Sequence, residues 1–496
     1  MIYLLFSIVG GATAILFIAL FNRRTVNTRL AWQHGCKPPF TYPHIDPLFG
    51  LDLKLQEIRK SLKYQSIPFA AAIHKKYGKT IMIQQFGSSE LRTVDPQNIQ
   101  TVYSTNHAHW GYQPVRLPVM EPFCGRGFIT TDGEIWHKAR ALLRPTFSKT
   151  NISDLSSFAG SLNELFGQIP SDGKTTVDLQ PLLANLYLDT SMRFLLGISP
   201  DASSKDGSVG AAAFLKAFNS SLIGMGLSFL LGPFKFLVPK SLKSVAYKQV
   251  HEYVDSFIEK AVSDEGTKES TQRSLLEGLV KQTDDRIEIR HNVLQGMLAA
   301  QDTTYVLLSN TTFLLSRNPA VYRKLRDEVQ NFDLELSPNL FDTLRELTFL
   351  RNIIQESLRL YPVFPIMVRI ALQDTTLPQG GGSDGKAPIY VPQGTKITSN
   401  YYALHRDESV FGKDAASFNP DRWDSIKPAP YEFMPFGAGP RACVGQHKAL
   451  AEASYTLAKL AKLYQRLESR DNEDWAGQLK LTARNVHGCK VVCVPA

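Results

Sequence analysis

The first long hydrophobic run along the chain covers residues 2–21 and is interrupted only by Ser7, Thr13 and glycines. About twenty such positions make a helix long enough to cross a hydrocarbon core of roughly 30 Å. Asn22, Arg23, Arg24 and Arg29 come after the run and no lysine or arginine precedes it. The positive-inside bias therefore places everything after residue 22 in the cytosol. Ala12-Thr13-Ala14 has the small-x-small form of a signal cleavage site, but the basic n-region is missing and the apolar stretch runs past it. That favours a transmembrane anchor over residues 1–22. Residues 36–47 are rich in proline and lack helical periodicity, so residues 23–48 read as a semi-rigid hinge ahead of a body at 49–496.

In the body, periods of three and four dominate. Residues 289–316 predict a helix that stops at Arg317-Asn318-Pro319, and its middle, 293–308, is apolar on nearly all faces. Such a helix belongs in the centre of the molecule. A second helix ends at Pro362 and carries Glu356 and Arg359 three apart on one face, a spacing that permits an ion pair. A third comes after Cys443, with Leu450, Ala453, Leu457, Leu460 and Tyr464 as its apolar stripe. Strand-like runs are short, at 80–86, 91–94, 389–391, 396–398 and 490–494. The pattern predicts a mainly α body with small β-sheets at its edge and contains no internal repeat.

Composition narrows this further. With 496 residues, 43% of them apolar, there is ample material for a large core. The excess of 55 Lys+Arg over 46 Asp+Glu, a net +9, is too diffuse for a nucleic-acid surface and suits an acidic protein partner or an anionic membrane. Five scattered cysteines argue against a disulfide scaffold and for a reducing compartment.

Two segments carry candidate chemistry. Inside the central helix lies Ala299-Ala300-Gln301-Asp302-Thr303-Thr304. An acid and two β-branched hydroxyls are locally unfavourable in a buried helix, although threonines bonding back to preceding carbonyls and bending the helix explain them equally well. The other segment is Phe436-Gly-Ala-Gly439-Pro-Arg441-Ala-Cys443-Val-Gly445. Cys443 precedes a helix N-terminus, Gly439 permits a tight turn that brings amides to the sulfur, and Arg441 adds a cation. All three effects stabilise a thiolate, a soft ligand for iron. A nucleophilic cysteine and an inert buried one are the alternatives, although no histidine base is evident.

Taken together these motifs resemble the cytochrome P-450 monooxygenases. The haem-ligand signature Phe-x-x-Gly-x-Arg-x-Cys-x-Gly is met by Phe436, Gly439, Arg441, Cys443 and Gly445. The Glu-x-x-Arg pair is met by Glu356 and Arg359, with Arg422 completing the cluster, and Trp-x-x-x-Arg by Trp136 and Arg140. Arg369 matches a later propionate-binding arginine. One departure is Ala300, where the oxygen-binding motif has glycine. Order and spacing hold over about residues 40–496. The resemblance implies a single catalytic domain binding haem b, with Cys443 as the axial thiolate. It implies that Arg140, Arg369 and Arg441, with Trp136, bind the propionates and that Phe436 packs beside the sulfur. It also implies that Glu356, Arg359 and Arg422 form a buried structural network, and that Asp302 and Thr303 relay protons to dioxygen. Ala300 adds a methyl group at that bend.

The glycine-rich stretch 377–394 and the Tyr401–Arg406 sequence after it resemble the fungal membrane-bound branch that includes n-alkane and fatty-acid hydroxylases and biosynthetic tailoring enzymes. By itself the stretch is a hairpin loop. The family layout suggests substrate-lining segments at 113–128, 214–238, 294–303 and 364–368, among them Ala299, Ile366, Met367 and Val368. Residues 214–238 are apolar enough either for a core helix or for a surface that dips into the bilayer. His107 and His109 lack further metal ligands, and Cys489 and Cys493 lack zinc-site spacing. The implied activity is hydroxylation of a lipophilic substrate, fatty-acid-like or a polyketide or terpenoid intermediate. NADPH would supply electrons through a flavoprotein reductase at the endoplasmic reticulum membrane. A haem-thiolate isomerase or dehydratase without a reductase, and a haem-binding sensor, are the rival readings.

Overall fold

The computed structural model describes residues 25–198, 209–263, 273–334, 336 and 339–496, and the expected anchor over 1–22 lies outside them. Among these residues the chain divides into two compact units. One comprises the segment up to Glu57, Ala70–Gly111 and Met367–Asn400, and the other Ile58–Phe69, Tyr112–Ile366 and Tyr401–Ala496.

The smaller unit is built on strands. β1 (Phe40–Thr41), β2 (Thr80–Gln85), β3 (Ser88–Thr93), β4 (Trp110–Gly111), β5 (Ile366–Ala371), β6 (Thr375–Gly381), β7 (Ala387–Val391) and β8 (Lys396–Asn400) form two sheets. The larger has the order β1-β2-β3-β8-β5-β4, and β6 and β7 pair as an antiparallel hairpin. β1, inside the proline-rich stretch, pairs parallel to β2, and residues 25–33 are helical. The glycine-rich stretch is the hairpin its composition suggested, with a register shift between Leu377 and Gly381. His44 fastens the segment before Leu51 to β2. Its Nδ1 donates to Asp52 Oδ1 (2.9 Å) and its Nε2 accepts the Gln84 amide (3.0 Å). Gly50 has φ +64° there, and a Cβ would lie 1.9 Å from the Gln84 carbonyl oxygen, so a side chain is excluded.

The larger unit is helical. Its site-bearing helices are α1 (Gln113–Cys124), α2 (Gly133–Leu143), α3 (Leu179–Leu196), α4 (Val209–Leu231), α5 (Arg286–Ala300), α6 (Thr303–Arg317), α7 (Thr348–Leu360) and α8 (Gln446–Leu463). The expected central helix over 289–316 is present but is two helices, because the ladder is interrupted at Gln301 and Asp302. Of the apolar middle expected to be buried, 293–298 and 304–308 are, and burial runs on to 316, whereas 299–303 at the break are exposed or half-buried. The two halves serve different cores. Val293, Leu294, Met297 and Leu298 of α5 join one hydrophobic cluster, and Val306, Leu308, Phe313 and Leu315 of α6 join another with α7 and α8. The break therefore falls between two packing regions.

Tyr464 was expected to continue the stripe of α8, but the helix ends at Leu463 and Tyr464 opens β9 (Tyr464–Ser469). β9 pairs with β12 (Lys490–Pro495), which also pairs with Val177–Asp178. β10 (Gly477–Leu479) and β11 (Ala483–Asn485) form a separate hairpin. α4 is mixed. Phe214, Phe218 and Met225 are core, whereas Ile223, Phe229 and Leu230, and Phe236 beyond it, are exposed. Its stretch Ala213–Leu231 is long and apolar enough to cross a membrane, with 39% of that window buried.

Candidate functional site

The segment before α8 turns twice through left-handed glycines, Gly437 (φ +70°) and Gly439 (φ +67°), where any other residue would be strained. Gly439–Arg441 form a short 3-10 turn, and the Cys443 amide donates to the Phe436 carbonyl at 2.9 Å. This fixes Phe436 directly behind the cysteine. Gly445 caps α8, and the amides of Gly445 and Gln446 hydrogen-bond the Cys443 sulfur. A Cβ on Gly445 would make ordinary contacts, 4.0 Å from Sγ and 3.4 Å from Phe147.

Cys443 is solvent-accessible on one side, yet the surrounding protein makes burial the largest influence on its thiol, raising the pKa. The Gly445 and Gln446 amides and Arg140 oppose that shift. From its sequence the loop was expected to stabilise a thiolate with Arg441 as the cation. In the structure burial outweighs the stabilising groups, and the arginine that acts on the sulfur is Arg140, whose Nη2 donates to the Ala442 carbonyl at 2.5 Å. Arg441 is engaged elsewhere. Its Nη2 donates to Thr131 O (3.0 Å) and to Asp132 Oδ1 (2.7 Å). Its guanidinium lies 4.2 Å from the ring centre of Trp136, which is buried.

These groups can be weighed against haem. An accessible soft sulfur donor with Arg140 acting on it, and a second arginine, Arg441, two positions before it and stacked on Trp136, supply the chemistry a haem iron and its anionic propionates require. The residues fit the group. Burial without an added cation costs the thiolate, and a bound iron would supply that cation.

At the interruption between α5 and α6, the Thr303 hydroxyl donates to the Ala299 carbonyl at 3.1 Å, the back-bonding that bends helices. Asp302 is half-buried. Burial raises its carboxyl pKa, while Arg484 and Lys480 of the β10–β11 hairpin counteract that in part. Ala299 is exposed and Ala300 half-buried, and the Ala300 carbonyl accepts from Ser191 of α3 at 3.5 Å.

Glu356, Arg359 and Arg422 are brought together without solvent. Arg359 and Glu356 are both 0% exposed and meet through two bonds of 2.8 Å, from Nε to Oε2 and from Nη2 to Oε1. Oε1 also accepts from Arg422 Nε (2.9 Å) and the Asn419 amide (3.0 Å), and Oε2 from Trp423 Nε1 (3.0 Å). The remaining Arg359 donors reach the carbonyls of His405, Ala415 and Ser417. His405 carries the network to the cysteine segment, since its Nε2 accepts the Met434 amide at 2.9 Å. Burial and the neighbouring arginines push its pKa down to about 3, so it is the neutral acceptor this bond needs.

Arg369 and the positions Ile366, Met367 and Val368 lie along β5. Arg369 is buried, with its guanidinium 4.3 Å from the Tyr103 ring centre and its Nη1 donating to the Val368 carbonyl. His107 and His109 bond through Nδ1 to Ser104 O and Thr375 Oγ1. Cys489 and Cys493 are buried thiols whose pKa values rise for that reason.

Asp132 and Gln295 belong to no motif in the sequence, and the role of His405, which lies in the Tyr401–Arg406 stretch, emerges only in the fold. Asp132 had one visible signal, an Asp-Gly pair just before the helix bearing Trp136 and Arg140. Gln295 is a fully buried amide on α5. Its Oε1 accepts the Ile129 amide (2.7 Å) and its Nε2 donates to Cys124 O (2.9 Å) and Thr130 Oγ1 (3.2 Å). A polar residue within an otherwise apolar helical face was the available signal.

The sequence profile of the family described as Cytochrome P450 matches residues 43–477. Cytochrome P450 monooxygenase himC of Aspergillus japonicus is 37% identical over 497 residues, covering 97% of this chain and 89% of that protein. Cytochrome P450 monooxygenase FPY7 of Fusarium mangiferae is 33% identical over 498 residues, with 96% and 94% covered. Cytochrome P450 52A13 of Debaryomyces hansenii is 32% identical over 492 residues, with 95% and 93% covered.

Proposed function

Because the chain belongs to the cytochrome P450 family, and is thus an oxidoreductase whose family implies a haem iron held by a cysteine thiolate, we propose that it hydroxylates a lipophilic substrate. The substrate is fatty-acid-like or a polyketide or terpenoid intermediate. NADPH supplies the electrons through a flavoprotein reductase. An anchor over residues 1–22 and a hinge over 23–48 hold the catalytic body, residues 49–496, on the cytosolic face of the endoplasmic reticulum.

The observation that carries this reading is Cys443, an accessible sulfur at a helix N-terminus with two backbone amides and Arg140 around it. Cys443 ligates the iron, Phe436 and Gly445 shape the space beside the sulfur, and Arg140, Arg369 and Arg441 with Trp136 receive the propionates. Held by these residues, haem would supply dioxygen activation, by which one oxygen atom would enter a C–H bond and the other, with two electrons from the reductase and two protons, would leave as water. The Asp302 carboxyl, made more basic by burial, takes up a proton at a pH nearer neutrality than a solvated aspartate. Thr303 Oγ1 hands that proton on, which requires its bond to the Ala299 carbonyl to open. Ala299, Ile366, Met367 and Val368 contact substrate. Glu356, Arg359 and Arg422 hold the cysteine segment in place through His405 and Met434.

The decisive measurement is the carbon-monoxide spectrum of the reduced protein, where a thiolate-ligated haem gives a red-shifted Soret band. The wild type is expected to show it and Cys443→Ala to lose it. A Cys443→Ala protein that keeps the band refutes the ligand assignment. Oxygen and NADPH consumption with a reductase then separates hydroxylation from an isomerase or dehydratase, which turns over without either.

A further inference from the structure

The hairpin of β10 and β11 gathers positive charge beside the break between α5 and α6. Gln478 stands opposite Arg484 in its register, so their side chains share a face, and Lys480 comes two residues after Gln478. The hairpin is tied down from two sides. The Ala483 amide donates to the Val363 carbonyl at 2.9 Å, and Gln180 Nε2 donates to the Asn485 carbonyl at 3.2 Å. Arg484 is half-buried, and its Nε and Nη2 share a neutral acceptor, Gln478 Oε1, at 3.3 and 3.2 Å. It also acts on the hydroxyl of Tyr305 on α6. Among the described residues neither Arg484 nor Lys480 is engaged in an ion pair.

The charges at this face do not balance. Burial and repulsion from Arg484 lower the Lys480 pKa, and Asp302 opposes that shift only in part. Asp302, the acid that acts on both cations, is itself made harder to ionise by burial. Two cations thus meet one reluctant carboxyl, and a guanidinium whose bonds go to a neutral amide has donors left for an anionic oxygen. On either side of Lys480, Leu479 and Leu481 are 44% and 45% exposed, which sets an apolar surface next to the cations. A molecule with one anionic group on an apolar skeleton answers both features. Its charge relieves the repulsion, and its skeleton takes the leucines out of water.

We propose that Arg484 and Lys480 are the acid-recognising end of the substrate site, and that the substrate is a lipophilic carboxylic acid held by its carboxylate against the hairpin beside Asp302. The inference deepens the hydroxylase reading and rests on it. The two cations select the substrate and take no part in breaking its bonds. A neutral lipid of the same skeleton gains only the apolar contact, so the acid is preferred over its alcohol by the charge-assisted bonds alone. Because the hairpin is fastened to Val363 and Gln180, its cations are held in place before the acid arrives.

The test titrates the full-length holoprotein at about pH 7, where a carboxylic acid is ionised. The probes are dodecanoic acid with dodecan-1-ol, and abietic acid with abietinol, so that a fatty acid and a terpenoid acid are told apart while the charge is common to both. Binding is read by isothermal titration calorimetry and by the shift of the Soret band. The wild type is expected to bind at least one acid about tenfold more tightly than its alcohol. Arg484→Gln should remove most of that preference, and Arg484→Lys should keep the greater part of it. Lys480→Gln, at an exposed position, should reduce it about threefold. The carbon-monoxide Soret band of each variant reports its folding, and if Arg484→Gln lacks it, Lys480→Gln decides. The proposal is overturned if neither acid binds more tightly than its alcohol, including the case where none of the four binds. It is equally overturned if the deciding variant keeps the full preference, or if the substitutions alter binding to phosphatidylserine vesicles and leave the acids untouched, for the hairpin then faces a membrane. A wild type without the thiolate Soret band defeats the hydroxylase reading, and calorimetry still shows whether the hairpin takes an acid. A wild type with that band and no preference for an acid defeats only the recognition proposed for Arg484 and Lys480.

Discussion

Replacing Glu356 by glutamine removes one charge from the most completely buried ionic group in the larger unit. The carboxylate accepts five hydrogen bonds, from Arg359 (two), Arg422, Asn419 and Trp423, at 2.8–3.0 Å. An amide keeps the shape, but it presents an NH2 group to donors and leaves Arg359, 0% exposed, with only carbonyl partners. Arg422 is less affected, because Asp414 holds it through two further bonds of 2.9 and 3.0 Å. Breaking one partner of a buried pair costs about 3–5 kcal/mol, the orphaned charge being the greater part. For 496 residues, an unfolding entropy of about 2.1 cal/mol/K per residue amounts to roughly 1 kcal/mol/K, so Tm should fall by about 3–5 °C. Differential scanning calorimetry at one fixed scan rate measures this, on apo and haem-loaded protein separately. The apo value matters because it isolates the network from cofactor loss. Exchanging both partners together, Glu356→Leu with Arg359→Met, should recover part of the loss, since no buried charge is then left alone between them. A Glu356→Gln protein melting within about 1 °C of wild type in the apo form would refute the reasoning, for it would mean that these bonds offset no desolvation.

Burial raises the Asp302 pKa in the folded state, so the folded protein binds that proton more tightly than the unfolded chain, and ionisation costs stability as pH rises through the folded value. Asp302→Asn should therefore melt higher than wild type at pH 7, and the gain should vanish below about pH 4, where the unfolded aspartate is protonated as well. A difference that grows on acidification contradicts the shift. Gln295→Met removes the acceptor of the buried Ile129 amide and the donor to Cys124 O, which should cost about 1–3 kcal/mol in urea unfolding. Limited proteolysis should then cut between residues 124 and 131 faster than in wild type, and an unchanged cleavage rate would show that Gln295 does not secure the segment.

Much of the architecture was legible because it arises from local spacing. A helix apolar on nearly all faces over 293–308 had to be buried, and 293–298 and 304–308 are, whereas 299–303 at the break are exposed or half-buried. A Gly-x-Arg-x-Cys-x-Gly run had to turn tightly ahead of a helix, and Gly437 and Gly439 carry the required positive φ. Glu356 and Arg359 share a helical face by their spacing alone. What escaped the pattern depends on partners far away in the chain. β4, β5 and β6 have no clear alternation of their own and exist because neighbouring strands supply their hydrogen bonds. The polar run Gln301-Asp302-Thr303-Thr304 marked where the helix bends, but not that it ends at Ala300 and restarts at Thr303, since sequence periodicity registers burial and is blind to a missing backbone bond.

Residue order alone supplies the chemical inventory: a cysteine before a helix, an acid and a hydroxyl in a buried helix, and arginines and a tryptophan at fixed intervals from one another. These are set within a few residues, where backbone geometry leaves little choice. Which of them meet is settled by the folded chain. Folding assigns Arg140 to the Cys443 sulfur and gives Arg441 to Asp132, 309 positions earlier in the chain. It also makes His405 the link between the Glu356 network and Met434. Charges at such separations pair only after the chain has folded, when burial removes the water that would otherwise have solvated each of them alone.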